Sequence, residues 1–327
     1  MAKYKVAVTD FGAEEIDIER GILEPLGCEV VGPLRVPDTK DEQKLSALVK
    51  DADFVITQFS PVTAAVVGAM EKSKIIVRYG IGVDNVDLKV AASKNIPVCN
   101  VPDYCIDEVA DSALAMILDL VRKISAHAAL IKSGKWALAV PIKELCVLNE
   151  MTVGIAGFGR IGRAVAARLK PFRCKTIVFD PVVDAATVKA AGCTPVSFDE
   201  LLKTSDLVTL HCPSNDKTKQ MINAESIAKM KQGVLFVNAS RGTLVETDDL
   251  VAALKSGKIA AAGLDVFDPE PLPADHPLRG MENVLLSPHI ASCSPQAVLK
   301  LRTDAANIVA TAFRGQKVPN VVNGVKV

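Results

Sequence analysis

The chain has 327 residues, 49% of them hydrophobic and 23% charged, enough for more than one buried core and without the composition of a disordered protein. Lys plus Arg and Asp plus Glu number 38 each, a balance that excludes a global field for nucleic acid or an anionic membrane and favours a small-molecule pocket. Aromatic residues are only 4%, which suits helices packed on buried parallel strands better than an all-β shell.

The cysteines at 28, 99, 105, 146, 174, 193, 212 and 293 contain no CxxC and no partnered Cys/His spacing. Neither a metal site nor a disulfide framework is expected, and a reducing, cytoplasmic setting fits. Met1 to Val8 runs straight into an alternating apolar strand without the apolar core of a signal peptide, and no apolar run approaches the roughly 18 residues that span a bilayer.

In chain order, a strand at Lys5 to Thr9 precedes a helix expected from Glu14 to Leu26, stopped by Gly27. Strands follow at Glu29 to Val31, Phe54 to Thr57, Ile75 to Arg78 and Pro97 to Cys99. From Asp107, the expected N-cap, Ala110, Ala113, Leu114, Ile117, Leu120, Val121 and Ile124 keep one apolar face, predicting a single long crossover helix that ends before Gly134. A second α/β series then begins, with six strands at 153–156, 176–179, 207–210, 234–237, 260–264 and 284–286. A helix at about 295–314 and a short tail, too small to fold alone, return to the first domain. The resulting expectation is an α/β protein of two doubly wound parallel-sheet domains.

Gly157, Phe158, Gly159, Arg160, Ile161 and Gly162 form GxGxxG between an apolar strand and an Ala-rich amphipathic helix. In that context Gly157 makes a tight turn, Gly159 admits a pyrophosphate close to the backbone, and Gly162 lets helix and strand pack closely. Eighteen residues after Gly162, at a strand end, Asp180 is placed to accept from ribose hydroxyls and to repel a 2′-phosphate, so NAD is expected over NADP. His211, Cys212 and Pro213 end a strand of the same domain and supply backbone walls for the adenosine, with Thr218 a candidate phosphate contact. His211 is not expected to be catalytic.

Three later segments put reactive groups at strand ends. Arg241 follows one strand, just after Ala239 and Ser240, which are expected to line the cofactor site; Asp265, Asp268 and Glu270 follow the next, and His289 follows the last. Beside a nicotinamide, these are the parts needed to reduce a 2-keto acid: an arginine fork for the carboxylate and carbonyl, an imidazole as acid/base, and a carboxylate to orient it.

Taken together, Gly157 to Gly162, Asn238 to Gly242, Gly263 to Pro271 and Ser287 to Ala291 resemble the D-isomer-specific 2-hydroxyacid dehydrogenase family. The run from Arg78 to Asp87 is similar to its substrate loop. The resemblance implies Arg241, Glu270 and His289 as the catalytic set, Asp265 facing the nicotinamide carboxamide, and amides near Gly80, Ile81 and Gly82 receiving the substrate carboxylate. It further implies a substrate domain of residues 1–102 and 291–327 around an NAD-binding domain of 103–290, and a homodimer. Gln58, Phe59, Ser60 and Tyr104 become candidates for shaping substrate preference. The segment opening at Trp136 is either a packing anchor or an arm toward the partner subunit.

The stretch from Cys99 to Leu114 is most similar to the branch holding the C-terminal-binding-protein corepressors and their bacterial dehydrogenase relatives, although Ser292 stands where the corepressors carry Trp. The expected function is NAD-dependent interconversion of a small 2-keto acid and its D-2-hydroxy acid, of the glyoxylate or hydroxypyruvate reductase type. Two alternatives stand beside it: a short-form D-3-phosphoglycerate dehydrogenase, and an NAD-sensing corepressor-like binding protein.

Overall fold

A computed structural model describes residues 4–11 and 15–326. The chain divides into two compact units, one of Met1–Tyr104 with Ser294–Val327 and the other of Cys105–Cys293. Each is built on its own parallel sheet.

In the first unit, strands β1 (Tyr4–Val8), β2 (Cys28–Val31), β3 (Phe54–Thr57), β4 (Ile76–Arg78) and β5 (Val98–Cys99) form a sheet in the order β2-β1-β3-β4-β5. Helices α1 (Asp17–Leu23), α2 (Glu42–Val49), α3 (Ala64–Ala69) and α4 (Leu88–Ser93) connect them. β3 and β4 are buried along their whole length, as strands covered on both faces must be. The first helix is shorter than its apolar pattern: Glu24–Leu26, with Pro25 inside it, is a separate 3-10 turn, and Gly27 ends it at φ 87°. Its expected start at Glu14 lies outside the described residues, as do Met1 to Lys3.

The second unit opens with a correction. The expected long helix is two, α5 (Ile106–Arg122) and α6 (Ile124–Lys132), broken at Lys123, which sits at φ 56°. The Asp119 side chain accepts from Ser125 N at 2.7 Å and so starts the second helix. The apolar face of α5 enters the core, whereas α6 buries no residue and Ile124 is exposed. Asp107 is also not the cap: Cys105 holds that position, and Asp107 lies in the first turn, paired at 2.8 Å with Arg168.

Strands β6 (Thr152–Ala156), β7 (Lys175–Phe179), β8 (Thr194–Pro195), β9 (Leu207–Leu210), β10 (Val234–Asn238), β11 (Ile259–Leu264) and β12 (Val284–Leu286) form a seven-stranded sheet ordered β12-β11-β10-β9-β6-β7-β8. Helices α7 (Arg160–Leu169), α8 (Ala185–Ala190), α9 (Phe198–Thr204), α10 (Ala224–Lys229) and α11 (Thr247–Ser256) link these strands. The seventh strand, absent from the expected six, is β8; two residues including a proline suffice only at a sheet edge.

α12 (Pro295–Phe313), capped by Ser294 Oγ accepting from Ala297 N at 2.9 Å, belongs to the first unit. Its Arg302 is bound by buried Glu19 of α1, with Nε 2.9 Å from Oε1 and Nη2 2.7 Å from Oε2, while Tyr79 donates to the same carboxylate at 2.7 Å. Each charge is thereby matched inside the core, where an unpaired one would be costly. Among the described residues, no helix is long and apolar enough to cross a membrane.

Candidate active site

The chain leaves β6 toward β7 on one side of the sheet and β9 toward β10 on the other, so the adjacent ends of β6 and β9 mark a switch point where such sheets bind ligands. Gly157 turns there at φ 97°, and a Cβ on it would lie 2.5 Å from Cys212 N. At Gly162 a Cβ would lie 2.1 Å from Gly157 O, which keeps α7 against the turn. At Gly159, in contrast, an added Cβ would meet nothing within 4 Å. The N-terminus of α7, whose first-turn amides have no acceptor within the helix, therefore opens onto space, and these residues fit a pyrophosphate.

Asp180 Oδ2 accepts from Phe158 N at 2.6 Å, and Oδ1 accepts from Val182 N at 2.8 Å and Val183 N at 2.9 Å. Burial works to raise this carboxyl, but the three amides and the Arg163 charge outweigh it and hold it below the ordinary carboxylate value. Two carboxylate oxygens offer about four acceptor directions, so an ionised Asp180 retains acceptor capacity for a ribose hydroxyl.

His211 N donates to Ala156 O at 2.7 Å, and its Nε2 lies 2.9 Å from Thr209 Oγ1. Burial pushes the ring down to about 4, so it is neutral near pH 7. The neighbouring Cys212 thiol is pushed up to about 11 by burial and is no nucleophile. Pro213 is exposed. Thr218 Oγ1 donates to Pro213 O at 2.6 Å and accepts from Asn215 N at 2.9 Å, so the hydroxyl expected near a phosphate is committed to its own turn. Ser240 Oγ donates to Cys212 O at 2.6 Å, joining the ends of β9 and β10 beside buried Ala239.

At the end of β10, Asn238 Oδ1 accepts from Ser240 N at 3.0 Å, and its Nδ2 donates to Arg241 O at 2.8 Å. This side-chain turn presents Arg241 in an extended conformation, with Nη1 donating to Ser240 O at 2.7 Å. Gly242 follows, and a Cβ there would sit 1.9 Å from Phe267 O, so the loop after β11 lies directly on this turn. That loop carries Glu270, whose Oε1 accepts from Phe267 N at 2.8 Å and whose Oε2 lies 2.7 Å from His289 Nδ1.

Burial tends to raise the Glu270 carboxyl; the His289 hydrogen bond and charge, the Phe267 amide and the Arg241 charge reverse this and hold it below 4.5. Since the folded value is depressed, the stabilisation is present above the unfolded value and is lost as pH falls through the folded one. Glu270→Gln is expected to lower Tm at pH 7 by roughly 2–4 °C per kcal/mol lost, with about 1 kcal/mol at stake. Thermal melts from pH 7 to pH 3 check this: the gap to wild type closes in acid, and a gap that persists or widens there contradicts the assignment.

His289 stands at φ 54°, a left-handed backbone uncommon for a non-glycine residue. Asp265 holds it there. His289 N donates to Asp265 O at 2.8 Å, and the Asp265 carboxylate, 1% exposed, accepts from Ser287 Oγ at 2.5 Å, Ile290 N at 3.0 Å and Ala291 N at 2.9 Å. The acid expected against the nicotinamide carboxamide thus has three bonds to the loop of the histidine. Neither Asn238 nor Ser287 stood out as a site residue from sequence; an Asn closing an apolar strand before a turn was the available signal.

In the first unit, Gly80, Ile81 and Gly82 follow β4. Gln58, Phe59 and Ser60 follow β3, and their three amides donate to the carboxylate of buried Asp10 at 2.9, 2.6 and 3.0 Å. Tyr104 is part-buried at the end of that segment. In the second unit Trp136 is 94% exposed, so within its own chain it anchors nothing.

Residues 114–291 match the model of the D-isomer specific 2-hydroxyacid dehydrogenase NAD binding domain. A hydroxypyruvate reductase of Blautia hydrogenotrophica is 35% identical over 93% of this chain and 96% of its own length. A D-3-phosphoglycerate dehydrogenase of Mycobacterium leprae is 38% identical over 89% of the chain, which spans only 54% of that longer protein. The solved structure of an Aquifex aeolicus D-lactate dehydrogenase with NAD and lactic acid superposes with a TM-score of 0.84 at 30% identity, over 95% of this chain and 96% of that one. With the glycine turn, the acid at the end of β7 and the Glu270–His289 pair all in one sheet-edge arrangement, and with likeness along nearly the whole sequence, the chain belongs to the D-isomer specific 2-hydroxyacid dehydrogenase family, whose nucleotide domain binds NAD.

Proposed function

We propose that this protein is an NAD-dependent reductase of a small 2-keto acid, yielding the D-2-hydroxy acid, of the glyoxylate or hydroxypyruvate type. The observation that carries the reading is the 2.7 Å contact between His289 Nδ1 and Glu270, in a loop lying against the Arg241 turn. NADH, when bound, supplies a hydride to the carbonyl carbon. Arg241 pairs with the substrate carboxylate and polarises the carbonyl, since its guanidinium is a charged planar donor fork. His289 gives a proton from Nε2 to the carbonyl oxygen and takes it back in the reverse direction. Glu270, committed to Nδ1, fixes the tautomer and offsets the charge of the imidazolium. The second unit is assigned to the cofactor and the first to the substrate, with the Ile81 and Gly82 amides receiving the carboxylate.

A small uncharged substituent suits the loop after β3, because its three backbone amides are already spent on Asp10 and are not available to cradle a phosphate. Initial rates with glyoxylate, hydroxypyruvate and 3-phosphohydroxypyruvate test the assignment. The first two are expected to exceed the phosphorylated acid in kcat/KM by at least about tenfold, as one mismatched polar contact is worth that much. A preference for 3-phosphohydroxypyruvate overturns it in favour of the phosphoglycerate reading.

The partner proposed for the 123–147 region is a second copy of the chain. Ile124, Trp136, Leu138, Ile142 and Val147 are all exposed there, an apolar concentration unusual for a free surface. Light scattering is expected to give a dimer, and Ile142→Asp with Trp136→Ala a monomer; a monomeric wild type contradicts this.

A further inference from the structure

The C-terminal tail lies antiparallel along β5, the edge strand of the first unit's sheet. Cys99 bridges Val321, Asn100 N donates to Asn320 O at 3.3 Å, and Val322 N donates to Val98 O at 2.8 Å. The Asn323 side chain continues the ladder, its Oδ1 accepting from Val98 N at 3.1 Å and its Nδ2 donating to Ile96 O at 2.8 Å. The tail therefore covers an otherwise open edge, and its last rung in the strand direction is Asn100.

Asn100 is buried, and its Nδ2 donates to Ile81 O at 2.6 Å, while Val101 N donates to Gly80 O at 3.0 Å. The carbonyls of Gly80 and Ile81 are thus drawn back to the end of β5. In a trans peptide the N–H points opposite to the C=O of the same unit, so the Ile81 and Gly82 N–H groups are turned away from β5 together. Neither N–H has an acceptor among the described residues. Two successive amides held this way form a cradle for an anion.

We propose that Asn100 and the tail segment 320–323 are positioning residues for substrate binding: they fix the orientation of the Ile81 and Gly82 amides, making the C-terminal tail part of the carboxylate-recognition device. The proposal rests on the reading that these amides receive the substrate carboxylate. It differs from a direct substrate contact by Asn100 in one consequence: weakening the tail alone, at Asn323, must also weaken substrate binding.

Steady-state kinetics of the full chain with glyoxylate and NADH, each variant first checked for its thermal melt, provide the test. Asn100→Ala is expected to raise KM for glyoxylate by about tenfold, the equivalent of losing one aligned hydrogen bond at this site. Asn323→Ala is expected to raise it in the same direction by about threefold, with kcat and KM for NADH close to wild type in both. Gly82→Pro, which deletes one of the two N–H groups, is the reference. If Gly82→Pro leaves KM for glyoxylate unchanged, the carboxylate reading itself fails. If Gly82→Pro raises KM but neither asparagine variant does, that reading stands and the positioning proposal is overturned. If Asn100→Ala raises KM and Asn323→Ala does not, Asn100 acts without the tail and the proposal is again overturned. Should Asn100→Ala fail to fold, Asn323→Ala against Gly82→Pro decides alone.

Discussion

His289→Gln is expected to lower kcat for the proposed keto-acid reduction by about 10²- to 10⁴-fold, the range for loss of a positioned general acid, with NADH affinity little changed. Glutamine keeps a side chain near Glu270 but cannot deliver a proton to an alkoxide. The effect is large because the two acids bonded around the histidine are otherwise engaged. Asp265 is spent on three bonds to the loop, and Glu270 is occupied by Phe267 N and His289. His211, the other imidazole of the nucleotide domain's sheet edge, is neutral at a value of about 4 and sits behind the glycine turn. Kinetics with a tritium- or deuterium-labelled NADH confirm the step affected. Equal NADH oxidation by wild type and His289→Gln removes His289 from the mechanism.

Arg241→Ala is the second large effect, a fall in kcat/KM of roughly 10²- to 10³-fold, as expected when one partner of a desolvated charge pair is deleted. Both KM and kcat should move, because in the proposed mechanism the guanidinium holds the carboxylate in the ground state and meets the growing charge on the carbonyl oxygen afterwards. Arg241→Lys should recover little. The Nη1 to Ser240 O bond of 2.7 Å locks the plane of the fork, whereas an ammonium on a flexible stem has no plane to lock. A lysine variant within about threefold of wild type contradicts a fork-specific role for Arg241.

The glycine turn was readable because a strand, three glycines and a helix stand in fixed register, and the structure gives each glycine a different neighbour: Cys212 N, open space, and Gly157 O. The contact between Glu270 and His289 was readable as chemistry, although nothing in a separation of 19 residues dictates 2.7 Å. The break at Lys123 was hidden because the apolar spacing runs unbroken through Ile124, and only the missing partner for that face gives it away. β8 carries too few residues to make a pattern. The grip of Asp265 on the histidine loop and of Asn100 on Ile81 O depends on pairings across 25 and 19 residues. The tail's hold on β5 spans 225, from Val98 to Asn323, and local periodicity carries no trace of such contacts.

In the proposed reaction a histidine–glutamate pair and an arginine reduce a keto acid to one hand of alcohol. Incubation of the wild-type protein with hydroxypyruvate and excess NADH, followed by chiral chromatography of the product, tests this most directly. The predicted result is equimolar loss of NADH and formation of D-glycerate alone. L-glycerate, a racemate, or no NADH oxidation with hydroxypyruvate or glyoxylate would contradict it.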